Sequence, residues 1–233
     1  SGDNDFLIID RSNDVGGTWR DNRYPGAACD VPSHLYSFSF RLKSDWSRVF
    51  SPAPEIWEYV VETAREEGLM PHIRLGCELV SAQWNDETQR WLVRTTGGDF
   101  DCQVLVTAMG HLADGKYPNI PGLQEFSGHL MHSAQWDHSV DLAGKRIAVI
   151  GSGASAIQIT PAMGDIASEL VVFQRTAPYV IPRPDRAYTD AEKRMFARNP
   201  EMMEELRSEI FWGLEYNYAQ RRAMPRAIAD RKS

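Results

Sequence analysis

Cysteine is scarce: the 233 residues hold three, Cys29, Cys77 and Cys102. An odd number without a CxxC spacing suits neither a disulfide framework nor a CxxC metal or redox centre, so we read all three as reduced packing residues. A surplus of positive charge is lacking too. With 25 Lys+Arg against 32 Asp+Glu the formal charge is −7, which argues against a nucleic-acid partner, because neutralising phosphates requires a basic face. No apolar run approaches the roughly 18 residues of a membrane span. The opening SGDNDFLIID has neither the basic nor the apolar region of a signal peptide, and a cytoplasmic protein is expected. His34, His72, His111, His129 and His138 show no grouping with cysteines or acids, so no metal is expected. What is present, 42% hydrophobic and 24% charged residues, is an ordinary globular composition. It suffices for one large or two small domains and suits small-molecule chemistry.

Along the chain, the apolar run Phe6 to Ile9 closed by Asp10 reads as a buried parallel strand. A parallel strand needs partners, so an upstream strand and helix of about 25 to 35 residues are expected before residue 1. Residues 11–50 carry many turn formers and aromatics and read as an ordered, function-bearing coil. Pro54, the apolar spacing of Ile56, Tyr59, Val60 and Ala64, and Gly68 mark a helix over 54–67. Alternation over 79–84 and 90–94 predicts a hairpin, after which Gly97-Gly98 turns the chain toward a second buried strand, 104–110. A strand at 146–151, a helix over 154–167 kinked by Pro161, and a strand at 170–175 follow. After a proline-rich stretch come polar helices, one opened by the capping box Thr189-x-x-Glu192 and one over 201–222.

The strongest chemical signal is Gly151-Ser152-Gly153-Ala154-Ser155-Ala156, a GxGxxA turn between a strand and a helix. The first glycine permits the turn and the second lets backbone approach a pyrophosphate. The small third residue lets helix and strand pack closely. Where an NAD site places a carboxylate, this chain has Gln174-Arg175-Thr176, and a guanidinium can pair with a 2′-phosphate, so NADPH is favoured. Asp10 ends the first strand where an acid would hold a ribose without a 2′-phosphate, as in FAD. An acid there is also a common polar strand cap, and the glycine loop that would accompany it is not in the sequence.

GGTWRDNRYPGAACD at 16–30 resembles the flavin-contacting segment of Baeyer-Villiger monooxygenases. Phe126-Ser-Gly128-His-Leu-Met-His132-Ser-Ala-Gln-Trp136-Asp137 is similar to that family's linker fingerprint, FxGxxxHxxxW followed by Pro or Asp. N- and S-oxygenating relatives carry Tyr or Phe and then Lys at the last two positions, so Trp136-Asp137 favours the Baeyer-Villiger branch. The resemblance runs from residue 1 to about 185, as of a piece lacking the N-terminal FAD glycine loop and the C-terminal half.

The resemblance implies that Asp10, Gly17, Thr18, Trp19, Asp30, Tyr36, Val80, Met109 and Gly110 contact FAD. It implies that Gly151 to Ala156, Gln158, Arg175 and Thr176 contact NADPH, with Ala28, Cys29 and Asp30 reaching it across the flavin. Asp30 is the implied catalytic-site acid, tuning an arginine that would lie beyond Ser233. His132 and Trp136 could act directly as general acid and substrate wall; a hinge between nucleotide domains is the favoured role, with plain packing the third.

The expected fold is α/β: two dinucleotide-binding, Rossmann-like three-layer domains, both incomplete, with a small antiparallel β meander in the first. The partial FAD domain spans 1–140 and the partial NADP domain 141–233, with helices over 185–233. The expected reaction inserts one oxygen atom of O2 into a ketone or aldehyde, giving an ester or lactone, with FAD and NADPH carrying the chemistry. The rivals are an N- or S-oxygenating flavin monooxygenase, a disulfide reductase that lacks its cysteine pair, and a non-catalytic nucleotide-binding fragment.

Overall fold

The computed structural model describes residues 5–110, 112, 114–180 and 182–230, the last ten as helix backbone only; His111 lies outside them. Its elements are β1 (Ile8–Ile9), α1 (Thr18–Asp21), α2 (Ser33–Tyr36), α3 (Ala53–Glu66), β2 (Ile73–Arg74), β3 (Leu79–Asn85), β4 (Arg90–Thr95), β5 (Gly98–Cys102), β6 (Arg146–Ile150), α4 (Ala154–Gly164), β7 (Glu169–Phe173), α5 (Asp190–Arg198) and α6 (Pro200–Asp230). The chain is a mixed helix and strand protein that includes an antiparallel sheet. It divides into two compact units, one of residues 1–27 and 53–176, the other of 28–52 and 177–233. The first unit runs across residue 140, the boundary expected between the two nucleotide domains.

In the first unit β1 pairs in parallel with β2, Ile8 opposite Ile73. The strand is shorter and less buried than the apolar run predicts. Phe6, Leu7 and Ile8 stay 40–41% exposed, because one short neighbour covers one edge and leaves the pleat's faces open. Helix α3 forms where its spacing predicts, with one shift: Val61 takes the buried place expected of Val60, which is only partly buried. Ile56, Tyr59, Val61 and Ala64 are buried, and Gly68 at φ +67 ends the helix, with the Leu69 amide donating back to the Ala64 carbonyl at 2.9 Å.

Strands β3, β4 and β5 form the meander, with Trp84 opposite Trp91 and their rings 5.6 Å apart in a T shape. Gly97-Gly98 does not lead to a strand at 104–110. It turns the chain back into β5, whose Val93–Phe100 pair completes the sheet. Residues 104–110 form no strand; Val104, Val106 and Met109 are 65–79% exposed, without a partner strand among the described residues.

Strands β6 and β7 pair in parallel from Arg146–Glu169 to Ile150–Phe173, with α4 as the crossover. Among the described residues only one face of each is covered. Ile147, Val149 and Leu170 pack on the helix residues Ile159 and Met163, whereas Ile150 and Phe173 remain exposed. Helix α4 runs through Pro161 and stops at Gly164, where the Ile166 and Ala167 amides turn back to the Met163 carbonyl.

The second unit is built from coil and the helices α2, α5 and α6. The Ser33 hydroxyl and the Ser51 hydroxyl lie 2.7 Å apart, and the Ser51 amide donates to Ser33 Oγ at 3.0 Å. Residues 47–49 pair with 186–188: the Val49 amide donates to the Arg186 carbonyl and the Tyr188 amide to the Ser47 carbonyl. The expected capping box is formed, Thr189 accepting from the Glu192 amide and Glu192 from the Thr189 amide. The last helix begins at Pro200 and is longer than its polar sequence predicts. Arg207 donates to the carbonyls of His34, Leu35 and Ser37, satisfying the open C-terminal end of α2.

Candidate nucleotide-binding site

The GxGxxA turn lies where the sequence places it, between β6 and α4. Gly151 has φ +126, a conformation that favours glycine, and its amide donates to the Phe173 carbonyl at 2.9 Å. Gly153 is different. It caps α4 with φ −78 and ψ −178, which any residue adopts, and a Cβ there would meet nothing within 4 Å. Neither strain nor crowding among the described residues calls for glycine at 153. The backbone there faces open space at the positive end of an 11-residue helix, where amides and dipole favour an anion. Ser155 and Ala156 are partly buried on the first turn, and Ala154 is exposed.

Strand β7 ends at Phe173, so Gln174, Arg175 and Thr176 run on from its end. Arg175 is exposed, and the Thr176 carbonyl accepts from Ser152 Oγ at 3.4 Å, tying this segment to the glycine loop. Gln158 faces elsewhere: its side-chain oxygen accepts from the Tyr24 hydroxyl at 2.8 Å.

In the same unit Asp10 follows β1, its carboxylate accepting from the Ser12 amide at 2.8 Å and lying 3.8 Å from Arg20. The Asp21 carboxylate is the first cause of a raised Arg20 pKa, against the opposing effect of burial. Gly16 and Gly17 both have positive φ and open helix α1, with the Trp19 amide donating to the Gly16 carbonyl. Thr18 is exposed, while Trp19 packs against the core formed by Tyr24, Ala27, Ala53, Ile159 and Met163. Val80 lies at a register shift between Leu79 and Ser81 and is 66% exposed, as expected where a bulge re-aims a side chain. Met109 is exposed, and Gly110 has φ +69.

The linker residues are locally explained. A Cβ on Gly128 would lie 2.4 Å from the Phe126 ring, so the Phe-x-Gly pair is a steric unit. His132 Nδ1 accepts from the Ala134 amide at 3.1 Å, which leaves the proton of a neutral ring on Nε2. Trp136 packs on the core of the unit. Asp137 accepts from the Ser139 hydroxyl and amide, which lowers its pKa, and its carboxylate is 3.7 Å from His129. No group of three or more potential metal ligands exists among the described residues.

Ala28, Cys29, Asp30 and Tyr36 belong to the second unit. Asp30 is exposed and Tyr36 is 41% exposed. Cys29 is 2% exposed, and burial pushes its thiol up to about 11. Its carbonyl accepts from Arg183 at 3.1 Å, and Arg183 in turn lies 3.8 Å from Asp185. Sequence reasoning passed over Arg183, Trp57, Tyr24 and Gly26. The last two stand inside the quoted RYPG run, which was the available signal.

The family model described as flavin-binding monooxygenase-like matches residues 3–214. The chain belongs to that family. A Baeyer-Villiger monooxygenase of Streptomyces coelicolor is 48% identical over 210 residues, 90% of this chain and 40% of that protein. The open crystal structure of cyclohexanone monooxygenase superposes with a TM-score of 0.79 at 34% identity, covering 85% of this chain and 40% of that one. OTEMO in complex with FAD and NADP gives 0.75 at 31% identity, covering 90% and 40%. The chain thus spans about 40% of the length of these relatives. No helix among its described residues is long and apolar enough to cross a membrane.

Proposed function

We propose that this chain is the nucleotide-binding part of an FAD- and NADPH-dependent Baeyer-Villiger monooxygenase, which inserts one oxygen atom of O2 into a ketone or aldehyde to give an ester or lactone. The observation that carries the cofactor assignment is Gly153: unstrained and uncrowded, yet glycine, at the mouth of a helix facing open space. A ligand backbone or phosphate that must come close explains it.

The residues fit the two nucleotides as follows. The amides of Gly151 to Ala156 would hold the diphosphate of NADPH at the α4 N-terminus, and exposed Arg175 with Thr176 would pair with the 2′-phosphate. Asp10 would accept the ribose hydroxyls of FAD, with Gly17, Thr18 and Trp19 against the flavin and Val80, Met109 and Gly110 along its length. In the second unit, Asp30 and Tyr36 are assigned to the flavin by the family resemblance alone, Asp30 as the acid that would orient an arginine. FAD and NADPH supply the redox and oxygen chemistry when bound; the chain binds and orients them.

Because the segment covers about 40% of its relatives, the reaction is assayed in the whole protein. With FAD added, a cyclic ketone should accelerate NADPH consumption and yield a lactone carrying one labelled atom from 18O2. Oxygenation of a sulfide or amine with no ketone turnover would overturn the carbonyl assignment. No binding of NADP+ to the 233-residue chain would overturn the nucleotide assignment.

A further inference from the structure

The flavin-side segment and the helix behind the Gly151 loop are joined at two atomic contacts. The Tyr24 hydroxyl donates to the side-chain oxygen of Gln158 at 2.8 Å. Two residues on, Gly26 has φ +83, and a Cβ built there would lie 2.7 Å from the Gln158 backbone oxygen. Backbone therefore lies against backbone, and glycine is needed both for its conformation and for its size. Around these contacts Tyr24, Ala27 and Ala53 form one buried cluster with Ile159 and Met163 of α4. The far side of the segment is held as well, the Ala53 amide donating to the Ala27 carbonyl at 2.9 Å.

Gln158 stands on α4 little more than one turn from Gly153, the open helix mouth. An α-helix is stiff over one turn, so an anion that orders the mouth also orders the carbonyl and side chain that Tyr24 and Gly26 touch. We propose that Tyr24 and Gly26 are positioning residues that couple occupancy of the Gly151–Ala156 loop to the order of residues 22–27. The Tyr24 hydroxyl is the polar link and Gly26 the steric one. This inference rests on the assignment of a dinucleotide to that loop. It adds a route by which nicotinamide-cofactor binding stiffens the strip of chain assigned to the flavin, a coupling between two sites in the thermodynamic sense.

The test is amide hydrogen exchange on the chain with and without saturating NADP+, read peptide by peptide. In the wild type, protection should rise both over 151–158 and at the amides of 22–27. In Tyr24→Phe, which keeps the ring and removes the hydroxyl, protection over 151–158 should persist and the NADP+ Kd stay within about threefold. The ligand-dependent gain over 22–27 should fall at least about threefold. Gly26→Ala, which forces the backbones apart without touching the hydroxyl, should show the same loss. A purely structural role would lower protection with and without ligand equally and leave the gain unchanged, which overturns the proposal. Protection confined to 151–158 in the wild type overturns the coupling and leaves the dinucleotide assignment standing. No NADP+ binding and no response in either segment overturns both.

Discussion

The His34 imidazole lies 4.6 Å from the Phe196 ring, centroid to centroid, and 5.3 Å from Tyr188, and neither of its nitrogens meets a hydrogen-bond partner among the described residues. It is 1% exposed, and burial lowers its pKa from 6.5 to about 4. A neutral ring packs there as an aromatic; a charged one is stranded.

That relationship predicts an acid sensitivity with a definite window. The folded pKa is depressed, so the unfolded chain takes up a proton as pH falls below 6.5 while the folded ring stays neutral until about 4. Stability is therefore full above 6.5 and is lost progressively toward 4, by about 3 kcal/mol. Denaturant unfolding at pH 7.5 and 4.5 measures it. His34→Leu should flatten the difference, and an equal loss in wild type and variant would show that other groups cause it.

Gly16 and Gly17 allow a paired test of crowding against strain. Both have positive φ, +117 and +49, but a Cβ on Gly16 would lie 2.4 Å from Trp57 Cδ1 whereas one on Gly17 meets nothing. Trp57 cannot easily yield, since its indole donates to the Val15 carbonyl at 2.9 Å and Arg23 stacks 4.5 Å above it. Gly16→Ala should cost about 3 kcal/mol and Gly17→Ala about 1 kcal/mol. Equal melting-temperature losses would remove the Trp57 contact from the explanation.

Elements whose cause is local were readable in the sequence. Helix α3 has its spacing and terminal glycine, the hairpin its alternation, α5 its capping box, and the β6–α4–β7 unit its glycine turn. What was misread depends on neighbours. The apolar runs at 6–9 and 104–110 satisfy every local rule for buried strands, yet a strand forms only where a partner supplies the ladder, and residues 104–110 find none among the described residues. The same limit applies to the site. The roles proposed for Gly151, Gly153 and Arg175 rest on residue type and spacing, whereas the Tyr24–Gln158 bond joins residues 134 positions apart and has no sequence signature.

The cysteines should differ sharply in reactivity. Cys29 and Cys77 are 2% and 4% exposed, and the Cys29 thiol, raised to about 11, is almost entirely protonated at pH 8. Cys102, at the end of β5, is only half-buried. Iodoacetamide at pH 8 should therefore modify Cys102 first, with Cys29 slower by about a hundredfold until the chain is unfolded. Peptide mass spectrometry reads the order, and early labelling of Cys29 would contradict a buried packing role.

The proposed preference for NADP over NAD rests on Arg175. It follows the end of β7 in the exposed run 174–176, whose Thr176 carbonyl the Ser152 hydroxyl ties to the glycine loop, so the backbone of this run adjoins the loop to which the diphosphate is assigned. A charge-assisted contact with a 2′-phosphate contributes about 1.5–3 kcal/mol, and removing it should weaken NADP+ by roughly ten- to a hundredfold. NAD+ lacks that phosphate, so its affinity should change by less than about twofold. Arg175→Ala should also leave the melting temperature nearly unchanged, since truncating an exposed side chain costs within about 0.5 kcal/mol. Titrations of the chain with both nucleotides give the ratio of dissociation constants directly. If that ratio moves by less than about twofold, another group selects the phosphate, and if both affinities fall together, Arg175 holds the loop rather than the ligand.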